Sequence, residues 1–209
     1  MERIYAAIQL LESGGPVMIP LFILSVITIA IAFERGMYYR RHRKNSRSFF
    51  EKVAASAKSG DWAGVKQACA GSKTAIAKIV GAGLERDGSE EEMKSAFMET
   101  MTLESAGFQR YLDYLSAIVT VAPLLGLLGT VTGMISSFSV LDSGAGATAI
   151  SGGVGEALVA TATGLCVAII AFAVYTFFTH QLDTIVADTE RLCITVVNAK
   201  KSGWGVTDV

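Results

Sequence analysis

Charged residues are scarce in this sequence. Asp, Glu, Lys and Arg make up 18% of the 209 residues, against roughly 25% in ordinary soluble domains. The formal net charge of −1 provides no overall field for binding a phosphate backbone. Hydrophobic residues make up 51% of the chain, and the mean hydropathy is +0.45. This composition argues against a disordered chain and against a nucleic-acid-binding protein, and it favours a membrane protein.

Cysteine and histidine are also rare. Cys69, Cys166 and Cys193 lie far apart and match no CxxC or Cys/His metal spacing. An odd count, with Cys166 inside an apolar run, argues against a disulfide framework. No metal or other cofactor is expected. A membrane enzyme is the least favoured class, because no His, Asp, Ser or Cys side chains cluster at helical spacing.

Three uncharged stretches contain the excess of apolar residues: 13–33, 114–141 and 157–179. Each is long enough to cross the ~30 Å hydrocarbon core of a bilayer, which needs about 20 helical residues. A signal peptide is the alternative for the first stretch. No basic cluster precedes that stretch, and Glu34-Arg35 follows it without a small-residue cleavage pattern, so we interpret it as a retained helix.

The distribution of Lys and Arg predicts the orientation of the spans. A basic cluster follows the first span and is interpreted as a topology anchor that contacts lipid headgroups: Arg40, Arg41, Arg43 and Lys44. The connection between the second and third spans has no Lys or Arg. The N-terminus and this short connection are therefore expected outside, and the remaining segments in the cytoplasm.

These patterns predict an all-α membrane protein with three transmembrane helices and long cytoplasmic helical extensions. The predicted segments are an N-terminal amphipathic segment on the outside (1–15), transmembrane helix 1 (16–34), a cytoplasmic helical domain (35–113), transmembrane helix 2 (114–141), a short loop on the outside (142–153), transmembrane helix 3 (154–179) and a cytoplasmic C-terminal helix (180–209).

Within the cytoplasmic domain, polar breaks divide residues 48–88 into short helices. Ser89, followed three residues later by Glu92, fits a capping box and predicts that a helix begins there. No proline follows until Pro123. A helix that ran unbroken from 90 to about 140 would be roughly 75 Å long and would project deep into the cytoplasm.

Small residues recur every three or four positions along spans two and three. They form one face on each span and predict close packing between helices: Gly126, Gly129, Gly133, Ala157 and Gly164. Pro123 removes one backbone hydrogen bond, so a kink is expected in span two.

Three of the polar residues on these two spans are candidates for a functional role. The hydroxyls of Thr130 and Thr161 either bond to a backbone carbonyl of their own helix or serve a proton or water pathway. Glu156 either complements the N-terminal dipole of the third span or takes part in function. No Asp, Glu, His, Lys or Arg lies at mid-depth in any span. This chain is therefore expected to build a proton pathway but not to carry the proton alone.

Two motifs give a family resemblance. Residues 122–134, APLLGLLGTVTGM, and residues 152–165, GGVGEALVATATGL, resemble the ExbB/TolQ family, distant relatives of the MotA flagellar stator proteins. Phe33-Glu34-Arg35 at the end of span one is also similar. The likeness extends over roughly residues 10 to 195. Span three lacks the proline that ExbB-like sequences often have after Gly164.

The resemblance implies a pentamer in the bacterial inner membrane, with spans two and three of each copy around a central pore. It implies a single-span partner of the ExbD/TolR type, whose membrane aspartate takes up and releases protons. Proton flow would then pass work to a TonB- or TolA-like protein that spans the periplasm, with transport across the outer membrane as the output in the TonB case. Thr130 and Thr161 match the pore-facing threonines of the family, and Glu156 matches its glutamate beside the pore.

Other functions stay open on the sequence. A TolQ-type subunit that powers Tol-Pal envelope maintenance fits the same motifs. A passive channel made by this chain alone, or a structural anchor, fits the three spans without needing a partner or a proton gradient.

Overall fold

The computed structural model describes residues 14–72, 74–86, 89–142 and 147–204. The side chains of residues 41–47, 140–150 and 202–204 lie outside that description. All of the regular structure in the described residues is α-helical. The helices, in chain order, are α1 (Met18–Lys58), α2 (Trp62–Ala70), α3 (Ala75–Glu85), α4 (Glu90–Gln109), α5 (Leu112–Asp142) and α6 (Ala147–Trp204).

Three of these helices are long and apolar enough to cross a membrane. The qualifying segments are Met18–Arg40 in α1, Leu112–Ser139 in α5 and Ser151–Lys201 in α6. They overlap the three predicted spans, 16–34, 114–141 and 154–179. The membrane-protein class read from the sequence therefore agrees with the length and composition of the helices.

The first helix differs from the prediction in its length. It begins at Met18, and it continues past the predicted end of the first span at 34 as far as Lys58. Residues 48–58 therefore belong to α1 and not to a separate short helix. The predicted N-terminal segment, 1–15, lies outside the described residues except for Gly14 and Gly15.

Two further bounds correct the sequence prediction. Residues 110 and 111 form a turn, so the stretch from 90 to about 140 is divided into α4 and α5. The last helix begins at Ala147, inside the predicted loop of 142–153. A glycine costs a helix only about 1 kcal/mol. Gly153 also packs closely against Ser137 of α5, so a glycine in this helix allows a close approach to α5.

The described residues form two compact units. The first, which we call the span unit, contains residues 14–34, 111–142 and 147–177. The second, which we call the extension unit, contains residues 35–72, 74–86, 89–110 and 178–204. Helices α1 and α6 contribute residues to both.

The core of the span unit joins the start of α1 to α5 and α6. Its buried residues are Val17, Met18, Leu21, Ile118, Ala122, Val167, Ala168 and Ala171. Thr28 of α1 is 1% exposed, and its hydroxyl donates to the Leu24 carbonyl at 2.8 Å. That bond lets a polar side chain be buried in an apolar helix without leaving an unmade hydrogen bond.

Helices α5 and α6 approach each other through residues with small side chains. A Cβ atom built on Gly126 would lie 3.1 Å from the Thr161 Cα and 3.2 Å from the Ala160 carbonyl oxygen. A Cβ on Gly164 would lie 2.6 Å from the Ala122 carbonyl oxygen. Because the obstructing atoms belong to backbone, a side chain here would force the helices apart.

Each helix of the extension unit contributes residues four positions apart to one core. They lie on the same face of their helix because successive positions i and i+4 are stacked. The members are Phe49, Val53 and Ala57 of α1, Val65 and Cys69 of α2, Ile76, Val80 and Leu84 of α3, Met93 and Phe97 of α4, and Leu192 and Val196 of α6. Burial raises the pKa of the Cys69 thiol to about 11.

A capping residue begins α4, and an ion pair connects α4 to α6. The Ser89 hydroxyl accepts a hydrogen bond from the Glu92 amide at 3.3 Å, which confirms the predicted helix start. Glu90 binds Lys94 of its own helix at 2.6 Å and Lys201 of α6 at 3.2 Å. Hydrogen bonds from these two lysines lower the pKa of the Glu90 carboxyl.

Arg35 binds the end of α4. Its guanidinium is 2% exposed, and Nη1 donates to the carbonyls of Gly107 and Phe108, both at 3.1 Å. The last carbonyls of a helix have no partner within the helix, so this arginine satisfies the end of α4. The Tyr39 hydroxyl donates to the Phe108 carbonyl at 3.4 Å, and the Arg35 guanidinium lies 4.9 Å from the centre of the Tyr38 ring.

Replacement of Arg35 should destabilise the extension unit. Arg35→Ala removes two hydrogen bonds from a charged donor, and the Gly107 and Phe108 carbonyls lose this donor. The free energy of unfolding should therefore fall by about 2 kcal/mol. Arg40→Ala, which removes an exposed arginine from the same helix, is the control. Thermal unfolding of the detergent-solubilised protein measures both. Equal midpoints for the two variants would contradict the stabilising role of Arg35.

A methyl group at Gly164 should also destabilise the protein. Gly164→Ala pushes a Cβ into the α5 backbone, and overpacking of this kind costs about 1–3 kcal/mol. Gly155→Ala in the same helix meets no atom within 4 Å, so it should gain up to about 1 kcal/mol from helix propensity. In lipid nanodiscs, the thermal unfolding midpoint should fall for Gly164→Ala and rise for Gly155→Ala, relative to the unmodified protein. A stabilising Gly164→Ala would refute the close contact.

Candidate functional site

Thr161 connects the two helices that pack through small residues. Its hydroxyl donates to the Gly126 carbonyl of α5 at 2.9 Å, and its side chain is partly exposed. The bond is made at the layer where the α5 and α6 backbones approach closely. A hydroxyl that donates its proton keeps lone pairs that can accept a hydrogen bond from water or another donor.

Thr130 makes a different bond. Its hydroxyl donates to the Leu127 carbonyl, three residues earlier in α5, at 2.6 Å. Thr163 of α6 similarly donates to the Val159 carbonyl of its own helix at 2.8 Å. Of these three threonines, Thr161 is the one whose hydroxyl bonds to another helix.

The glycine and alanine positions of the two faces pair with one another. Gly133 faces Ala157, since a Cβ on this glycine would lie 3.0 Å from the Ala157 Cβ and 3.0 Å from the Gly153 carbonyl oxygen. One turn earlier in α5, Gly129 faces Ala160. The small faces of spans two and three are therefore in contact with each other within a single chain.

Glu156 lies beside the beginning of the first span. Its carboxylate occupies the space next to Gly15, where a Cβ would overlap the Oε1 atom. Ala160, one turn further along α6, is buried where α1 and α5 meet α6, because Gly129 has both Ala160 and Val17 as neighbours. The structure thus places Glu156 against α1 and Thr161 against α5.

Pro123 lies inside α5, which continues past it as one α-helix from Leu112 to Asp142. Arg40 is exposed on α1. The other three residues of the predicted basic cluster, Arg41, Arg43 and Lys44, are helical, and their side chains lie outside the described set.

Large apolar side chains cover the outer faces of the span unit. Exposed examples are Ile19, Phe22, Ile29, Leu124, Leu127, Ile135, Phe138, Leu158, Ile169 and Phe172. Exposed apolar surface on helices of this length is typical of contact with lipid or with other membrane helices.

The sequence did not predict the contacts of two residues, Gly15 and Arg35. Gly15 makes room for Glu156, and Arg35 binds the end of α4. A glycine pair before a proline, Gly14-Gly15-Pro16, is a turn signal that points to a special backbone position, but not to the residue it faces. An arginine beside an apolar span is ordinarily assigned to topology.

The profile of the MotA/TolQ/ExbB proton channel family matches residues 71–191. An ExbB-like biopolymer transport protein of Synechocystis sp. is 38% identical over 168 residues, which cover 78% of this chain and 66% of the relative. The biopolymer transport protein ExbB of Salmonella typhimurium is 31% identical over 179 residues, covering 79% of this chain and 72% of the relative.

A Tol-Pal system protein is similar over a comparable length. TolQ of Pseudomonas aeruginosa is 28% identical over 184 residues, which cover 81% of this chain and 80% of the relative. The family profile matches more than half of the chain, and it includes both motifs on α5 and α6. Together with the three long apolar helices, these matches confirm the resemblance seen in the sequence, and the chain belongs to the MotA/TolQ/ExbB proton channel family.

Proposed function

We propose that this chain is the channel-forming subunit of a proton-driven motor of the ExbB type in the bacterial inner membrane. The observation that carries the proposal is the lack of any Asp, Glu, His, Lys or Arg in residues 114–141 and 157–179. Proton transfer through a membrane needs titratable groups or ordered water along the path. A partner of the ExbD/TolR type, with one span and a membrane aspartate, would bring the missing group.

The proposed assembly is a homo-oligomer, most simply the pentamer implied by the family, with α5 and α6 of each copy around a central pore. The contact between the α5 and α6 backbones supports this role, because it makes each pair one stiff wall element. The proposed orientation has the N-terminus in the periplasm and the C-terminus in the cytoplasm. The basic residues behind the first span support that orientation.

Within this wall we assign proton-pathway roles to Thr161, Thr130 and Glu156. Thr161 is partly exposed and keeps lone pairs for water or for the partner while it bonds to Gly126. Glu156 is the acidic residue at the mouth of the third span. The motor would pass its work to a TonB-like protein for outer-membrane transport. The identity with TolQ over 80% of that relative makes Tol-Pal envelope maintenance the second candidate.

Deletion of the gene distinguishes the two candidates. Loss of energy-dependent uptake through outer-membrane receptors, with an intact envelope, is expected for the ExbB-type role. Sensitivity to detergents and leakage of periplasmic contents, with normal uptake, would assign the TolQ-type role instead.

The requirement for a partner is tested in proteoliposomes. Because no Asp, Glu, His, Lys or Arg lies at mid-depth in any span, the purified chain alone should conduct protons poorly, and adding the single-span aspartate protein should raise the flux. A pH-sensitive dye inside the vesicles measures it. An Asp→Asn variant of the partner is the control and should not raise the flux. Solute-selective conduction by the chain alone would show a passive channel.

The role of Thr161 is tested against Thr163 in the same helix. Thr161→Val keeps the side-chain shape but removes the bond to Gly126 and the pathway lone pairs, so proton flux of the reconstituted complex should fall about tenfold, or ~1.4 kcal/mol in the barrier. Thr163→Val removes a bond within one helix and should leave the flux near that of the unmodified protein. Equal flux in the two variants would contradict the assignment.

A further inference from the structure

Gly15 has a backbone conformation that side chains rarely adopt. Its φ angle is +69°, in the left-handed region that glycine enters without steric cost. Gly15 lies in the turn before α1, where its carbonyl accepts a hydrogen bond from the Met18 amide at 3.1 Å. The next carbonyl, of Pro16, accepts from the Ile19 amide at 3.3 Å. This turn is thus closed by backbone bonds.

The same glycine is the neighbour of Glu156. A Cβ on Gly15 would overlap the Glu156 Oε1 atom and lie 3.1 Å from its carboxyl carbon. The carboxylate therefore occupies the space that a side chain at position 15 would fill. The aligned peptide dipoles of α1 give the beginning of this helix a partial positive charge, which favours a carboxylate placed nearby.

The core of the span unit prevents the turn from moving away from Glu156. Val17 and Met18, which follow the turn, are 8% and 4% exposed. Val17 reaches the layer of Gly129 and Ala160, and Ala160 lies one helical turn after Glu156. The residues that lead into α1 thus lie beside Glu156 and beside the layer of Ala160, one turn further along α6.

We infer that Gly15 is a positioning residue for Glu156: the left-handed turn before α1 leaves the space that holds the carboxylate against the first span. This inference rests on the proposed role of Glu156 in proton flow. It assigns to the first span a part in that role, because the place of the acidic group depends on the turn that begins α1.

Substitutions at Gly15 test the inference in the reconstituted complex with its single-span partner. Gly15→Ala adds a Cβ that displaces the carboxylate. Proton flux should fall about tenfold, and the midpoint of its dependence on pH should shift. Gly15→Asn adds the same Cβ with a residue that tolerates a left-handed backbone, so it separates overlap from backbone strain if the alanine variant misfolds.

Gly60→Ala is the matched control. Gly60 has a φ angle of +75°, and a Cβ there would meet no atom within 4 Å. The Gly60→Ala variant therefore has a strained backbone but no new side-chain contact. Its proton flux and pH midpoint should remain those of the unmodified complex. If Gly15→Ala and Gly15→Asn behave like Gly60→Ala, the inference is overturned.

A second substitution at Glu156 tests the contact directly. Glu156→Asp shortens the side chain by one methylene and withdraws the carboxylate from the space beside position 15. In the Gly15→Ala background it should restore most of the lost flux and return the pH midpoint, although Glu156→Asp alone lowers the flux. A double variant no better than Gly15→Ala would refute the pairing.

Glu156→Gln separates this inference from the proposed function. A fall in flux with Glu156→Gln, together with no effect of Gly15→Ala or Gly15→Asn, overturns only the positioning role. Unchanged flux with Glu156→Gln overturns the proposed role of Glu156 and the inference with it.

Discussion

The contact between the α5 and α6 backbones is the constraint on which the rest of the span unit depends. It exists because Gly126, Gly129 and Gly164 present no side chain to the opposing helix. Lipid tails are as apolar as the helices, so association in a bilayer depends on such close packing and not on the hydrophobic effect. The same contact brings the Thr161 hydroxyl within 2.9 Å of the Gly126 carbonyl. Packing and the polar site are therefore one feature of the molecule.

A second long-range interaction divides a helical stretch that local propensity would leave whole. Residues 90–122 contain no proline, and only the single Gly107 interrupts their run of helix-compatible residues. The break follows the carbonyls of Gly107 and Phe108, which accept hydrogen bonds from Arg35. An arginine 72 residues away in sequence from Gly107 thus satisfies the end of α4, where a continuous helix would use its own amides.

The candidate site residues on α6 face different neighbours, because successive positions of a helix point in different directions. Thr161 and Ala157 are four residues apart and share the face toward α5, whereas Glu156 lies next to Gly15 at the beginning of α1. Sequence motifs identified these residues by type and spacing. They did not indicate that the threonine would bond across to α5, or that the glutamate would occupy the space left by a glycine.

The sequence by itself determined the membrane class, the spans and the breaks near residues 60, 72 and 88, because apolar runs, glycine and capping residues act locally. It also determined that no Asp, Glu, His, Lys or Arg lies at mid-depth in any span. Only the tertiary structure decided which small residues pair, where α4 ends, and what Glu156 faces. The physical reason is that these contacts join residues far apart in the chain. Their strength depends on distances between backbones, which no local pattern specifies.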